Sequence, residues 1–260
     1  MEERKQKEID FHNKRENERV TLPAKEYRAR YSNRRFYSIT RKSQSYWINW
    51  VKNKCHGKRT LDYCCGLGDV SLVLAKQGAD VYGIDISSES IKTARNRLAE
   101  AGYSDVEKFN VMDAEHLEFE DNFFDRIICT GVLHHLDLNR AYFELARVLK
   151  PDGEIICVEA LGYNPLIRWY RKRTLHLRTE WEVDHILTLK DIQKAQPYFK
   201  IINVNFFHFF SILSIPFIGT LFFEPLLSLL DSLDLVVLKI PLVRLMAWQI
   251  IFVLKKPKVE

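Results

Sequence analysis

The sequence predicts an α/β fold built on a doubly wound, mainly parallel sheet. Three observations carry that expectation. Short strand-like runs alternate with helix-period stretches from residue 60 to residue 158. The run from Phe124 to Thr130 reads as a strand covered on both faces. Turn formers stand where the period changes: Gly66-Leu67-Gly68, Gly78, and Pro151-Asp152-Gly153. Strands alternating with helices give parallel pairs joined by right-handed crossovers.

Taken in order, residues 1–24 are charged and weakly patterned, as in a frayed helix or tail. Residues 25–54 mix Tyr27, Tyr31, Phe36, Tyr37, Tyr46, Trp47 and Trp50 with Arg and Lys, which predicts amphipathic helices on a domain edge. Thr60 to Cys64 is the first strand. Val70, Val73, Leu74 and Ala75 mark a helix that Gly78 stops. Val81 to Ile84 is the second strand, ending at Asp85. Ser87 or Ser88 caps the next helix, whose inner stripe is Ile91, Ala94, Leu98 and Ala101. Val106 to Val111 is read as a third strand and Phe124 to Thr130 as a fourth. Ala141, Leu145, Val148 and Leu149 mark a helix, and Glu154 to Val158 a fifth strand. Two more strands fall at Phe199 to Phe207 and Trp248 to Leu254.

The chain has 260 residues and a net charge of +5, with 47% hydrophobic residues. A substantial core is within reach, and global disorder and low-complexity classes are excluded. The charge is uneven. Residues 1–60 hold 17 Lys and Arg against 7 Asp and Glu, while residues 206–246 hold 26 apolar residues and only five charged ones. The five cysteines include no CxxC pair, so reduced thiols are expected and no metal site is predicted. The first residues carry no apolar run of the kind a secretory signal needs, which points to the cytoplasm.

The motifs sit at strand ends. Leu61-Asp62-Tyr63-Cys64-Cys65-Gly66-Leu67-Gly68 places two glycines in a strand-to-helix turn, where backbone can approach a ligand closely. A dinucleotide fingerprint would need a third glycine at Ser71. Asp85 ends the second strand, where a carboxylate accepts ribose hydroxyls. Asp113-Ala114 follows the third, placed to meet an adenine edge.

With the strand Phe124-Asp125-Arg126-Ile127-Ile128, the segment Val132-Leu133-His134-His135-Leu136 and the turn Leu149-Lys150-Pro151-Asp152-Gly153, the stretch from Leu61 to Val158 resembles the class I S-adenosylmethionine-dependent methyltransferases of type 11. One departure is Cys64, where the family pattern usually has glycine. The resemblance implies a Rossmann-like doubly wound sheet of seven strands with the last antiparallel. To this are added N-terminal helices (residues 1–54) and a hydrophobic helical insertion (208–246) between strands six and seven, the catalytic domain being 55–207 with 247–260. It implies S-adenosyl-L-methionine as cofactor. The backbone around Cys64 to Gly68, Gly66 included, with Asp62 nearby, would hold the methionine moiety, Asp85 the ribose, Ile86 the adenine face, and Asp113 and Ala114 the adenine edge. Thr130 would line the methyl-donor end.

Methyl transfer to a hydroxyl needs a general base, and His134 and His135 follow strand four on the ligand edge. No Pro-Pro-aromatic run follows that strand, which favours oxygen, carbon or sulfur acceptors over amines. The basic run Arg168, Arg171, Lys172, Arg173 and Arg178 is either a substrate phosphate or carboxylate contact or a solvated helix face. The apolar insertion leaves the ligand edge, and is expected to form a lid that lines a greasy pocket or lies on a membrane surface, with the basic N-terminal region adding attraction to anionic lipid. The expected activity is methyl transfer, to oxygen, of a lipophilic or lipid-linked small molecule, an isoprenoid or quinone-like compound or a glycolipid or polysaccharide intermediate. The alternatives are a non-catalytic cofactor-binding or membrane-associated scaffold and, from the basic flank, an RNA methyltransferase. No nucleic-acid recognition module follows that flank.

Overall fold

β1 (Arg59–Tyr63), β2 (Asp80–Asp85), β3 (Phe109–Val111), β4 (Phe124–Thr130), β5 (Leu149–Ala160), β6 (Lys200–Phe207) and β7 (Gln249–Lys255) form one sheet in the order β3-β2-β1-β4-β5-β7-β6. They are seen in a computed structural model that describes residues 2–31 and 37–258. β1 to β5 pair in parallel, and β7 runs antiparallel to both β5 and β6. The expected topology is therefore present, with every parallel strand opening at its C-terminal end on one edge.

Two apolar layers sandwich the sheet. Leu61, Ile127, Cys129 and Phe252 face one layer, while Ile128, Ile156, Ile251 and Val253 face the other. That alternation is the period-2 rule applied to strands buried on both sides. The helices that cover the core near the ligand edge are α3 (Arg41–Lys54), α4 (Asp69–Lys76), α5 (Ser88–Glu100) and α6 (Leu138–Val148). Ser87 caps α5 by accepting from the Ser90 amide, and Asp137 caps α6 by accepting from Asn139 and Arg140.

Three expectations change. Val106–Lys108 is a 3₁₀ turn, so β3 begins only at Phe109. Lys108 Nζ reaches both Asp105 and Asp80 at 2.7 Å, which folds the segment back before it joins the edge of the sheet. β5 is longer than Glu154 to Val158. Phe124 pairs with Leu149 but Arg126 pairs with Glu154, so Lys150–Gly153 bulge from the ladder. Most consequentially, the N-terminal region is no frayed tail: α1 (Glu3–Thr21) is a 19-residue helix, followed by α2 (Ala24–Tyr31). Its inward face is polar, with Glu8 and Glu16 buried, so a search for an apolar stripe misses it. The expectation made for Phe36 lies outside the described residues.

Beyond β5 the chain forms α7 (Pro165–Arg173), α8 (Glu180–Asp184) and α9 (Leu189–Gln193) before β6. The insertion then forms a 3₁₀ segment at Phe210–Phe217, α10 (Phe223–Val237) and a 3₁₀ turn at Val243–Met246. Asp234 anchors it by accepting from the Phe209, Phe210 and Ser211 amides. Ile212 and Leu227 pack on Ile39, Ile167 and Trp248. Arg41 of α3 pairs with Asp231 at 2.7 Å.

Candidate active site

Two cavities meet at the ligand edge. The first, about 190 Å³, is lined by Cys64, Gly66, Asp85, Ile86, Asp113, Ala114 and Thr130. These are seven of the nine residues assigned to the cofactor from sequence. The second, about 520 Å³, is lined by α2–α3, by β4 and β5 ends, and by the segment from Ile167 to Glu182. Thr130, Gly131, His12 and His135 line both. The shared residues place the end of β4 at the passage from one cavity to the other.

The turn after β1 explains its own residues. Cys64 has φ 59°, Gly66 φ 50° and Gly68 φ 77°, all in the left-handed region. Glycine adopts that region without cost, whereas a residue with a Cβ pays about 1–2 kcal/mol. Cys64 therefore stands where a glycine is favoured on backbone grounds. Burial pushes its thiol well above the usual cysteine range, so it is a neutral wall atom and no nucleophile. A Cβ added at Gly66 would meet nothing, so its backbone opens on the cleft.

Asp85 ties the turn to the next helix. Its Oδ2 accepts from the Gly66 amide and its Oδ1 from the Ser87 amide, both at 2.9 Å. The remaining lone pairs can accept from a ribose diol. A glycine-lined turn at a helix start, an acceptor carboxylate and an apolar wall at Ile86 suit the donor set of S-adenosylmethionine.

Two of the nine residues stand behind the turn. Asp62 does not line the cleft: it is 1% exposed and accepts from Ser71 Oγ at 2.5 Å, behind the turn. Burial lifts its carboxyl to about 7, against the opposing pull of Ser71. Gly68 does not line it either. A Cβ there would lie 3.2 Å from that of Ala94, so this glycine lets α4 and α5 pack closely. Both residues shape the turn from behind.

Asp113 is engaged by the protein itself. Its Oδ1 accepts from the Glu115 amide at 2.9 Å, and Lys5 Nζ lies 2.7 Å from its Oδ2. Arg4 donates to Glu115 and to the His135 carbonyl. The cations of α1 thus reach into the cleft instead of facing outward.

The two histidines differ in environment. His134 Nδ1 lies 2.8 Å from Glu159 Oε2, and Glu159 Oε1 accepts from the Val132 and Leu133 amides at 2.8 and 2.7 Å. Burial, helped by the neighbouring His135, holds the His134 ring below its usual value. A neutral ring that donates Nδ1–H to Glu159 keeps Nε2 as an acceptor. His135 lies between Glu8 Oε2 at 3.1 Å and Glu182 Oε1 at 3.2 Å. Burial would lower it, but Glu8 and Glu182 outweigh that and raise it. Burial likewise works against the Glu8 charge, yet His12, His135 and Thr179 hold its carboxyl well below the usual range. Glu8, His12 and His135 have metal-ligand spacing, as do His134, His135 and Glu182, but these donors pair with one another.

Sequence reasoning missed Glu159, Glu8, His12 and Glu182. The signal for Glu159 was a carboxylate at the C-terminal end of an otherwise apolar strand. For α1 it was Arg4, Glu8 and His12 at i, i+4, i+8, one face of a helix. The basic run splits. Arg171 and Arg178 line the larger cavity, while Arg168, Lys172 and Arg173 are exposed. No residue of 208–246 lines either cavity. The lining role expected of the insertion is therefore filled by α2, α3 and the α7–α8 segment. The insertion packs behind the wall, on Ile167 and Trp248.

Comparison with known proteins finds similarity over the part of the chain that builds this site. Residues 61–157 match the family described as "Methyltransferase domain". The demethylmenaquinone methyltransferase of Symbiobacterium thermophilum is 34% identical over 128 residues, covering 45% of this chain and 51% of its own. The ubiquinone/menaquinone biosynthesis C-methyltransferase UbiE of Rickettsia felis is 39% identical over 106 residues, covering 38% and 43%. The chain spans about half the length of the curated relatives it matches. The geranyl diphosphate C-methyltransferase of Streptomyces coelicolor A3(2) shares the fold, with a TM-score of 0.60 at 12% identity over 83% of this chain and 77% of that one.

Proposed function

We propose that the chain, whose residues 61–157 match a methyltransferase domain, is a class I S-adenosylmethionine-dependent methyltransferase that acts on a hydroxylated, lipophilic small molecule, quinone-like in its ring. The observation that carries this reading is the His134–Glu159 pair, at 2.8 Å, beside the passage between the two cavities. S-adenosylmethionine, when bound, supplies a methyl group on a sulfonium whose departure leaves a neutral thioether. The chain itself then has three tasks. The Cys64–Gly68 turn and Asp85 hold the donor, Thr130 and Gly131 set the passage through which the acceptor meets it, and His134 Nε2 takes the acceptor proton while Glu159 fixes the tautomer.

Oxygen is the atom that such a base activates directly. The names of the quinone-directed relatives favour a second outcome, in which the ionised hydroxyl directs the methyl group to an adjacent ring carbon. Both need the same base. Product spectra separate a methoxy from a ring methyl.

The exposed face of the insertion supports a peripheral place on a membrane. Leu221, Phe222 and Leu242 are 94, 72 and 78% exposed. No helix among the described residues is long and apolar enough to cross a membrane.

Calorimetry with S-adenosylhomocysteine tests the first reading, and absence of binding by the pure protein would refute it. Flotation with anionic vesicles tests the second. The protein floats, and the pair Leu221→Ser, Phe222→Ser abolishes flotation; a protein that stays in the pellet fraction rules out the membrane surface.

A further inference from the structure

The larger cavity holds more positive charge than its carboxylates can balance. Arg171 is 7% exposed, and its Nη2 donates to the Glu182 carbonyl at 2.7 Å. The Glu182 carboxylate is 3.9 Å away and is already shared with His135. The Arg171 Nε is buried with no hydrogen-bond partner among the described residues. Arg178 donates to the carbonyl and hydroxyl of Thr174 at 3.0 and 2.6 Å and lies over the Tyr170 ring. Arg15 lies over the Tyr31 ring. No carboxylate of the described residues comes within 4.0 Å of Arg178 or Arg15, although all three arginines line the same cavity.

A buried guanidinium with an unfilled donor is costly unless something in the cavity completes it. The planar fork of arginine matches an oxyanion, and two such groups with an aromatic wall select charge and shape together. The volume, about 520 Å³, is that of a small-molecule site. The exposed Arg168, Lys172 and Arg173 on the same helix show the contrasting solvated arrangement.

We propose that Arg171 and Arg178, with Arg15, form an oxyanion subsite in the acceptor cavity, so that the acceptor carries a carboxylate or phosphate besides the group that is methylated. This rests on the reading of the cavity as the acceptor site of a methyltransferase. The subsite gives specificity: neutral relatives of the acceptor would leave the Arg171 donor unfilled and bind weakly.

The test is calorimetry on the full chain saturated with S-adenosylhomocysteine, with benzoate, inorganic pyrophosphate and neutral benzamide as probes. At least one oxyanion binds and benzamide does not. Arg171→Gln and Arg178→Gln each weaken oxyanion binding at least tenfold, while Arg168→Gln leaves it unchanged. Preference for pyrophosphate identifies a phosphorylated acceptor, and preference for benzoate a carboxylated one. If Arg171→Gln does not fold, as judged by its thermal melt, Arg178→Gln and Arg15→Gln decide. Absence of oxyanion binding, equal binding of benzamide, or full affinity in Arg178→Gln overturns the proposal. Failure to bind S-adenosylhomocysteine while an oxyanion still binds in an Arg178-dependent way overturns the methyl-donor reading and leaves the subsite standing.

Discussion

Lys5 Nζ lies 2.7 Å from Asp113 Oδ2 and 2.9 Å from Glu115 Oε2, so α1 holds two carboxylates that line the smaller cavity. Burial lowers the Lys5 ammonium, but Asp113 and Glu115 outweigh it and raise it. A donor that hydrogen-bonds Asp113 through its adenine amino group competes with this lysine for the Asp113 carboxylate. A partly exposed ion pair contributes about 0.5–1 kcal/mol. Lys5→Met is therefore expected to tighten S-adenosylhomocysteine about two- to fivefold, and Asp113→Ala to weaken it about tenfold. Calorimetry on the two variants checks this, and weaker binding by Lys5→Met would show that α1 assists the cofactor.

The His134–Glu159 pair predicts a rate effect without a binding effect. His134→Ala removes the proposed base and is expected to lower kcat by about 10²–10⁴. Glu159→Gln keeps an oxygen for the Val132 and Leu133 amides but turns an N–H toward His134 Nδ1, reversing the tautomer. It is expected to lose a comparable factor while S-adenosylhomocysteine affinity stays within about twofold. Because burial lowers the His134 ring from 6.5, the acid limb of the rate lies below pH 6.5. A pH–rate profile with its limb above that value would contradict the assignment.

Asp85 joins two chain segments through the Gly66 and Ser87 amides. Asp85→Ala leaves both unsatisfied, and stability should fall by about 1–3 kcal/mol. S-adenosylhomocysteine binding should fall much further, because the turn and the ribose acceptor are lost together. Asp85→Asn retains one acceptor and should lie between. Denaturant titration and calorimetry on the same samples separate the two effects.

His208, 2% exposed, rests 2.8 Å from Ser43 Oγ and 3.3 Å from Ser211 Oγ. Burial lowers its ring to about 3. With the folded value depressed, unfolding takes up a proton at any pH between about 3 and 6.5. Stability is thus full above pH 6.5 and is lost as pH falls, by up to about 1.4 kcal/mol per pH unit from this group. His208→Gln keeps a hydrogen-bonding side chain and cannot titrate, so its melting temperature should fall less between pH 7.5 and pH 5. Equal slopes for wild type and variant would refute this.

Cys64 is strained by its backbone, φ 59°, and its thiol carries no charge. Cys64→Gly is expected to leave the melting temperature unchanged or raised, the relief of about 1 kcal/mol offsetting the lost side chain. Cys64→Val should lower it, since a β-branched residue tolerates the left-handed region least.

The sheet and the cofactor turn were legible because their signals are local. Strand period, glycine spacing and the acidic strand ends at Asp85 and Asp113 each lie within a few residues. Asp62 is an acidic residue in the same motif, and only its hydrogen bond from Ser71 places it behind the turn. Glu8 and His12 escaped because α1 presents a polar face inward, and a polar face reads as solvent-facing when its partners are distant. The apolar insertion was legible as a segment, but its composition does not say on which side of the cavity wall it stands. Ile212 and Leu227 on Ile167 and Trp248 decide that.

The contacts that close the site are long in sequence. Lys5 meets Asp113 across 108 residues, Arg4 meets the His135 carbonyl across 131, and Glu8 meets Thr179 across 171. The wall that α1 gives both cavities is therefore held by the far part of the chain. A change at Asp113, Glu115 or Thr179 would be felt at the N-terminal helix as well as at its own strand end.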